Sequence, residues 1–315
     1  MSPVAVSSPA SPGLIASHPL KPAPPVHVEI VEFKQTTEGL DENPLNRIWR
    51  GDEEGKIKVE VVPNFKGDLY AQRQWVKEHM AGALQYWGKL GYGEGVAGHI
   101  TVRDPVYPDH YWMNSFAMHY SLCSVSNLIL VTPEGRPHPD GAQMPINQAG
   151  YLIHSAIHNA RPEINAIAHC HSMNGKAWSV FGKPIDQLVQ DSAFFYDNLA
   201  VYPKFGGIVL AADEGANIAK AMGPKNKTAI LQNHGLLTLG DTVDECVYYF
   251  ALLDRLCGMQ LMVEAAEANG LKKVVIDDED AAFTAATLQN PETVALQFQV
   301  EYNLLVEEKG HKFLK

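Results

Sequence analysis

Cysteine is scarce in this chain: four residues in 315, Cys123, Cys170, Cys246 and Cys257, with no Cys-x-x-Cys pair among them. That excludes a disulfide framework and a zinc knuckle, and it fits a reducing compartment. Basic charge is in deficit too, since 25 Lys and Arg stand against 36 Asp and Glu for a formal net charge of −11. Such a balance does not draw nucleic acid in through a general phosphate-seeking field, so no nucleic-acid partner is expected. Also missing is any run of the roughly 18 to 20 uninterrupted apolar residues that a membrane span needs. The N-terminus lacks the basic-then-apolar order of a secretory signal. No membrane association and a cytoplasmic location are expected.

What is present is an ordinary globular composition, 46% hydrophobic and 19% charged, sufficient for a core without cross-links. The first 25 or so residues depart from it, being dense in Pro, Ser and Ala with a single Lys, no acid and no apolar period. They read as a disordered tail, and the lack of any Arg before Arg47 weighs against a mitochondrial presequence. "VHVEIVEFK" and "KIKVEVV" alternate like strands, to pair with an edge of the main domain or stay mobile. The chain thus divides into a tail and extension, 1–62, and a domain, 63–315.

Within that domain the punctuation is that of an α/β unit. "DLYAQRQWVKEHMAGALQYWGKLGYG" predicts a helix closed by Gly91 and Gly93. "HITVRDP", "NLILVTPEG", "INAIAHCHS" and "TAILQNHG" predict strands. "NQAGYLIHSAIHNARPE", "DEGANIAKAMG" and a long stretch from about Val243 to Ala268 predict helices, the last begun by Thr242 as N-cap. Strands and helices alternate without a repeat period, as in a single α/β domain. Gly206-Gly207 is a loop hinge and not a phosphate loop, because no Lys-Ser/Thr follows.

The chemistry concentrates in Ala168-His169-Cys170-His171-Ser172. Strand alternation sends His169 and His171 to one side and Cys170 to the other. With His234 of Asn233-His234-Gly235, at the end of another strand, three imidazoles become available as a nitrogen-rich ligand set with an open position. The alternative is that each is a hydrogen-bonded core residue, and spacing alone leaves the two open. His154 and His158, one helical turn apart, read as structural or supporting groups, and His110, His119 and His138 as local hydrogen-bonding ones.

"GVAGHITVRDP", "INAIAHCHSMNGKAWS" and "ILQNHGLLTLGDTVDECVYYFALLDRLCGMQLM" together resemble the class II aldolase/adducin family, over about Asn64 to Lys315. The resemblance implies a three-layer α/β/α fold with a mostly antiparallel central sheet. It implies a divalent metal on His169, His171 and His234, and a homo-oligomer, a tetramer by family habit, with sites between subunits. This sequence departs from the sugar-phosphate aldolases at three elements. Asn147-Gln148-Ala149-Gly150 stands for Pro-Ser-Ser-Glu, placing Gly150 where a Glu ligand or base would be. Ala97-Gly98-His99 stands for Ser-Gly-Asn, and Asn114-Ser115-Phe116-Ala117 for Thr-Pro-Ser-Gly. The implied substrate is a small molecule that is not a sugar phosphate.

The resemblance supports a lyase of aldolase type, in which the ion, Zn2+ first, stabilises the enolate left when a C–C bond breaks. His99 and Tyr196 are then the candidate acid or base. An alternative follows from a similarity of "AGHITVRDP" and "QDSAFFY" to secondary-metabolism members of the family. It is a non-haem Fe2+ oxygenase on the same histidines, with Phe194, Phe195 and Tyr196 lining an apolar pocket. Those aromatics also read as core packing. The remaining alternative is a non-catalytic scaffold of adducin type.

Overall fold

Alternation along the central strands decides which side chains meet which helices. The computed structural model describes residues 35–36, 38–207 and 212–315, of which Thr36–Lys315 form one compact unit. The tail and "VHVEIVEFK" lie outside the described residues. The strands are β1 His99–Arg103, β2 Tyr111–Met113, β3 Ile129–Val131, β4 Ala166–Cys170, β5 Leu199–Tyr202, β6 Thr228–Leu231 and β7 Gly235–Gly240. They form one seven-stranded sheet in the order β3-β2-β1-β4-β7-β6-β5. Every neighbouring pair is antiparallel except β5 and β6.

Seven α-helices accompany the sheet among the described residues: α1 Leu69–Lys89, α2 Gln148–Ala160, α3 Met173–Ser179, α4 Ala212–Met222, α5 Val243–Ala268, α6 Asp278–Leu288 and α7 Pro291–Lys309. On one face Ile100, Val102, Ala166, Ala168 and Cys170 pack with Met80, Leu84 and Trp87 of α1, Val247 and Phe250 of α5 and Phe298 of α7. On the other, Ile167, Leu237 and Leu239 pack with Ile153 and Ile157 of α2 and Ile218 and Met222 of α4. This is the expected three-layer α/β/α arrangement with a mostly antiparallel sheet. Helix α5 is long and apolar enough to cross a membrane by length and composition, but 61% of its most apolar window is buried inside the domain, where it serves as a core helix.

The helix starts follow local chemistry. Asp68 accepts from the N–H groups of Tyr70 and Ala71 at the head of α1, Asn147 from Gly150 at α2, and Thr242 from Glu245 at α5. Each satisfies an N–H that the helix leaves open. Thr242→Ala is expected to cost about 1 kcal/mol of stability, read as a lower urea midpoint with unchanged slope; an unchanged midpoint contradicts that role.

Several elements differ from expectation. No strong period in the sequence marks the short strands β2 and β5 or helices α3, α6 and α7. "KIKVEVV" forms no strand: Val61 instead joins Leu45 in a small apolar cluster against Ala295 of α7. Its alternation finds a helix to cover rather than a sheet edge. "TAILQNHG" stops pairing at Leu231, so His234 lies in the turn between β6 and β7 and not on a strand.

Candidate metal centre

The central strand β4 carries the first histidine. His169 faces His99 of β1 on one side and Leu237 of β7 on the other. His171 follows one residue beyond the strand end. His234 is supplied by the tight β6–β7 connection, which Leu231 and Gly235 close as a pair. There Asn233 adopts φ +59°, a left-handed conformation that asparagine tolerates better than most residues.

These three imidazoles come together. Each offers a ring nitrogen, all within 4.8 Å of one another, and their ring centroids are 4.7–5.2 Å apart. The Leu236 carbonyl accepts from His169 Nδ1 at 2.8 Å; since a carbonyl only accepts, the proton sits on Nδ1 and Nε2 keeps its lone pair. Burial, then the His234 and His99 imidazoles, hold His169 well below its ordinary pKa. Burial, then His171, pushes His234 down to about 4, and burial, then Lys176, lowers His171. The donor set is therefore three neutral imidazoles, the form that binds a divalent ion, and it fits such an ion with a position left for a ligand. No carboxylate belongs to this group among the described residues.

A cavity of about 370 Å3 opens over the histidines, lined also by His99, Gly150, Asn147, Lys176 and Phe205. Lys176 is ion-paired with Glu94 at 2.8 Å, both partly exposed. His99 is only 3% exposed, and burial, then His234 and His171, pushes it down to about 3. Its ring occupies the space over Gly150: a Cβ there would come within 2.5 Å of both His99 ring nitrogens. The two departures that stand apart in the sequence thus meet in space, the missing side chain at 150 leaving room for the imidazole of His99.

Beside Gly98 the protein offers only about 10 Å3, lined by Ala97, Ser115, Phe116 and Asn147. The polar groups around it are committed inward. Asn114 Oδ1 accepts from Ile100 N–H at 2.9 Å, Ser115 Oγ donates to the Asn127 carbonyl at 2.6 Å, and Tyr120 Oη donates to the Ala97 carbonyl at 3.0 Å.

Tyr196 lies apart from the three histidines. It does not line the histidine cavity; it lines a separate shallow one with Asp197, Lys225 and Gln289. The physical reason is its neighbours: Phe194 and Phe195 are buried in the core, with rings 5.7 Å from Tyr248 and 5.9 Å from Tyr249 respectively. These three aromatics therefore form no wall of the histidine cavity. Cys170 is buried on the opposite face of β4, where burial raises its thiol well above the ordinary value. His110 bonds Asp109, and His119 and His138 accept from nearby backbone N–H groups. Sequence reasoning does not single out Lys176 or Thr101. Thr101 carries a signal, lying two residues from His99 on the same strand face; Lys176, five residues beyond His171 on α3, carries none.

A profile of the Class II Aldolase and Adducin N-terminal domain family matches residues 78–261. The chain is 38% identical over 218 residues to the "Meiotically up-regulated gene 14 protein" of Schizosaccharomyces pombe, covering 69% of this chain and 84% of that protein. It is 39% identical over 201 residues to the "4-hydroxy-3-prenylphenylpyruvate oxygenase/4-hydroxy-3-prenylbenzoate synthase" of Streptomyces roseochromogenus, covering 63% of this chain and 72% of that one. Among solved structures it superposes on the L-fuculose 1-phosphate aldolase from Glaciozyma antarctica PI12 with a TM-score of 0.73 and 38% identity, over 81% of this chain and 98% of that one.

Proposed function

Because the chain belongs to the class II aldolase and adducin family, we propose that it is a metal-dependent lyase of aldolase type. Its substrate in this reading is a non-phosphorylated carbonyl compound, and it works as a cytoplasmic homo-oligomer. The observation that carries the reading is the convergence of three neutral imidazoles, from His169, His171 and His234, at the floor of one cavity. These residues would hold a divalent ion, zinc in the first place, which would polarise a carbonyl oxygen and lower the cost of the charge that grows on it when a C–C bond breaks.

The chain's own groups do the rest. The Leu236 carbonyl holds His169 in one tautomer and orientation. Lys176, the one Lys or Arg among the described lining residues, offers its ammonium to an anionic group, since its partly exposed pair with Glu94 is weak enough to exchange. His99 lines the wall with its ring, both nitrogens being buried. The closed space beside Gly98, with its hydroxyls already committed, supports the absence of a phosphate subsite.

A second reading, an Fe2+ oxygenase, is favoured by the oxygenase named among the relatives; three imidazoles, with no carboxylate in the group among the described residues, would leave up to three positions of an octahedral ion open, enough for substrate and dioxygen. One experiment separates them. Anaerobically purified protein, loaded with Zn2+ or Fe2+, is offered 4-hydroxy-2-oxo acids, 2-oxo acids and L-fuculose 1-phosphate under an oxygen electrode. Aldehyde release from a 4-hydroxy-2-oxo acid without oxygen uptake is expected. Iron-dependent oxygen uptake transfers the conclusion to the oxygenase, and efficient turnover of the sugar phosphate sinks the non-phosphorylated substrate. Failure to hold either ion leaves an adducin-type scaffold.

A further inference from the structure

The cavity over the histidines is one-sided in its polar chemistry. Among the described lining residues it has no Asp or Glu, one cation, Lys176, and two amides, Asn147 and Asn233. Asn233 stands exposed in the β6–β7 turn. Asn147 Oδ1 accepts from Gly150 N–H at 3.0 Å. A backbone N–H only donates, so the atom facing it is the oxygen and the Asn147 NH2 group is left for another partner. Lys176 is a pure donor as well. Its ammonium has three N–H groups, and one of them goes to Glu94 at 2.8 Å; no other side-chain bond is made by Lys176 among the described residues.

The backbone holds that lysine in place. Helix α3 has no cap of its own, since Ser172 makes no side-chain bond at its head. Asp254 of α5, only 4% exposed, takes the part instead, accepting from Gly175 N–H at 2.8 Å and from Asn174 Nδ2 at 3.1 Å. A carboxylate there satisfies an open N–H and suits the positive end of a helix. Two glycines let α3 sit so close: a Cβ at Gly175 would come within 2.6 Å of Leu236 Cγ, and one at Gly258 within 2.8 Å of Asn174 Cγ. Leu236 is also the residue whose carbonyl holds His169, so α3 and the first histidine are fixed against the same point. Lys176 follows Gly175 directly and reaches the cavity wall.

We propose that Lys176 is the specificity-determining residue of this cavity: it takes the carboxylate of a small anionic substrate, while the Asn147 NH2 donates to a second oxygen of the same molecule. Glu94 shows what the ammonium accepts as a partner, a carboxylate at a partly exposed position. A lone ammonium matches a singly charged group, and the space of about 10 Å3 beside Gly98, its hydroxyls committed, has no room for a phosphate. No carboxylate of the described lining repels the anion. The proposal deepens the metal-centre reading and rests on it for where the reacting carbonyl lies.

The experiment is an NMR titration of the full chain, loaded with Zn2+, using glycolate, its neutral counterpart glycolamide and inorganic phosphate. Native protein is expected to bind glycolate more tightly than either of the others. Lys176→Met, which keeps the stem and removes the charge, is expected to lose about tenfold in glycolate affinity with glycolamide little changed, and Lys176→Arg to recover most of the loss. Glu94→Gln removes the competing anion and is expected to tighten glycolate severalfold. Asn147→Ser keeps an oxygen to cap α2 and is expected to weaken glycolate and glycolamide alike. Zinc affinity, measured alongside, is expected to be native or higher in Lys176→Met, because a like charge is removed from the neighbourhood of the ion. Glycolate bound equally well by Lys176→Met, or lost together with glycolamide, overturns the proposal. Phosphate bound as tightly as glycolate, and lost in Lys176→Met, overturns the carboxylate in favour of a phosphate. If the chain holds no zinc the metal reading fails, and the same titrations of the zinc-free chain decide the carboxylate site by the same Lys176→Met criterion.

Discussion

Replacing His169 with alanine is expected to lower zinc affinity by roughly 10²–10⁴-fold, taking the about 10–16 kcal/mol of structural zinc sites as shared among three or four ligands. His169 is the most deeply held of the three. It stands on the central strand β4 between β1 and β7 and is tied to the Leu236 carbonyl, so an ion would find its first ligand already oriented. His171 and His234 are half-buried at a strand end and in a turn and have more freedom to adjust. Competition titration against a chromophoric chelator, with elemental analysis of the purified variant, measures the effect. A circular dichroism spectrum like that of the native chain shows that the loss is local. Zinc bound as tightly by His169→Ala as by the native chain would remove the metal centre from this protein.

Gly98→Ala is expected to be severely destabilising, by about 3 kcal/mol or more, through two causes that add. Gly98 has φ +91°, outside what a residue with a Cβ adopts without strain. The added methyl would also stand 2.6 Å from Cys170 Cβ and 3.1 Å from Cys170 Cα. The second contact is with the backbone of β4, which cannot turn aside as a flexible side chain would. Because Gly98 immediately precedes His99 and presses on the residue between His169 and His171, relief by moving either strand spreads the histidines. Guanidinium unfolding midpoint and zinc affinity are both expected to fall in this variant. A variant with native stability would mean that β1 and β4 yield at this point, and the rigid-strand basis of the site would be wrong.

The sequence by itself determined the strand that carries His169 and ends just before His171, since alternation is a property of the backbone and needs no partner to be known. It determined α1, α2 and α5, whose caps and apolar stripes are local. It also held the family resemblance, because "INAIAHCHS" and "ILQNHGLLTLGDT" each carry candidate ligands at or beside a strand end. Tertiary structure alone decided the rest. The three-residue strand β2 is too short for a period to announce it, and it exists because β1 and β3 flank it with hydrogen bonds. "KIKVEVV" has a strand's alternation but meets α7, so long-range packing overrode the local pattern. Tyr196 shares a segment with suggestive aromatics, yet Phe194 and Phe195 anchor that segment in the core and carry Tyr196 to another surface. The meeting of Gly150 with His99 joins residues 51 positions apart, as the difference of their numbers gives. Neither residue explains itself, because the space a glycine leaves has no meaning until the fold shows which ring fills it.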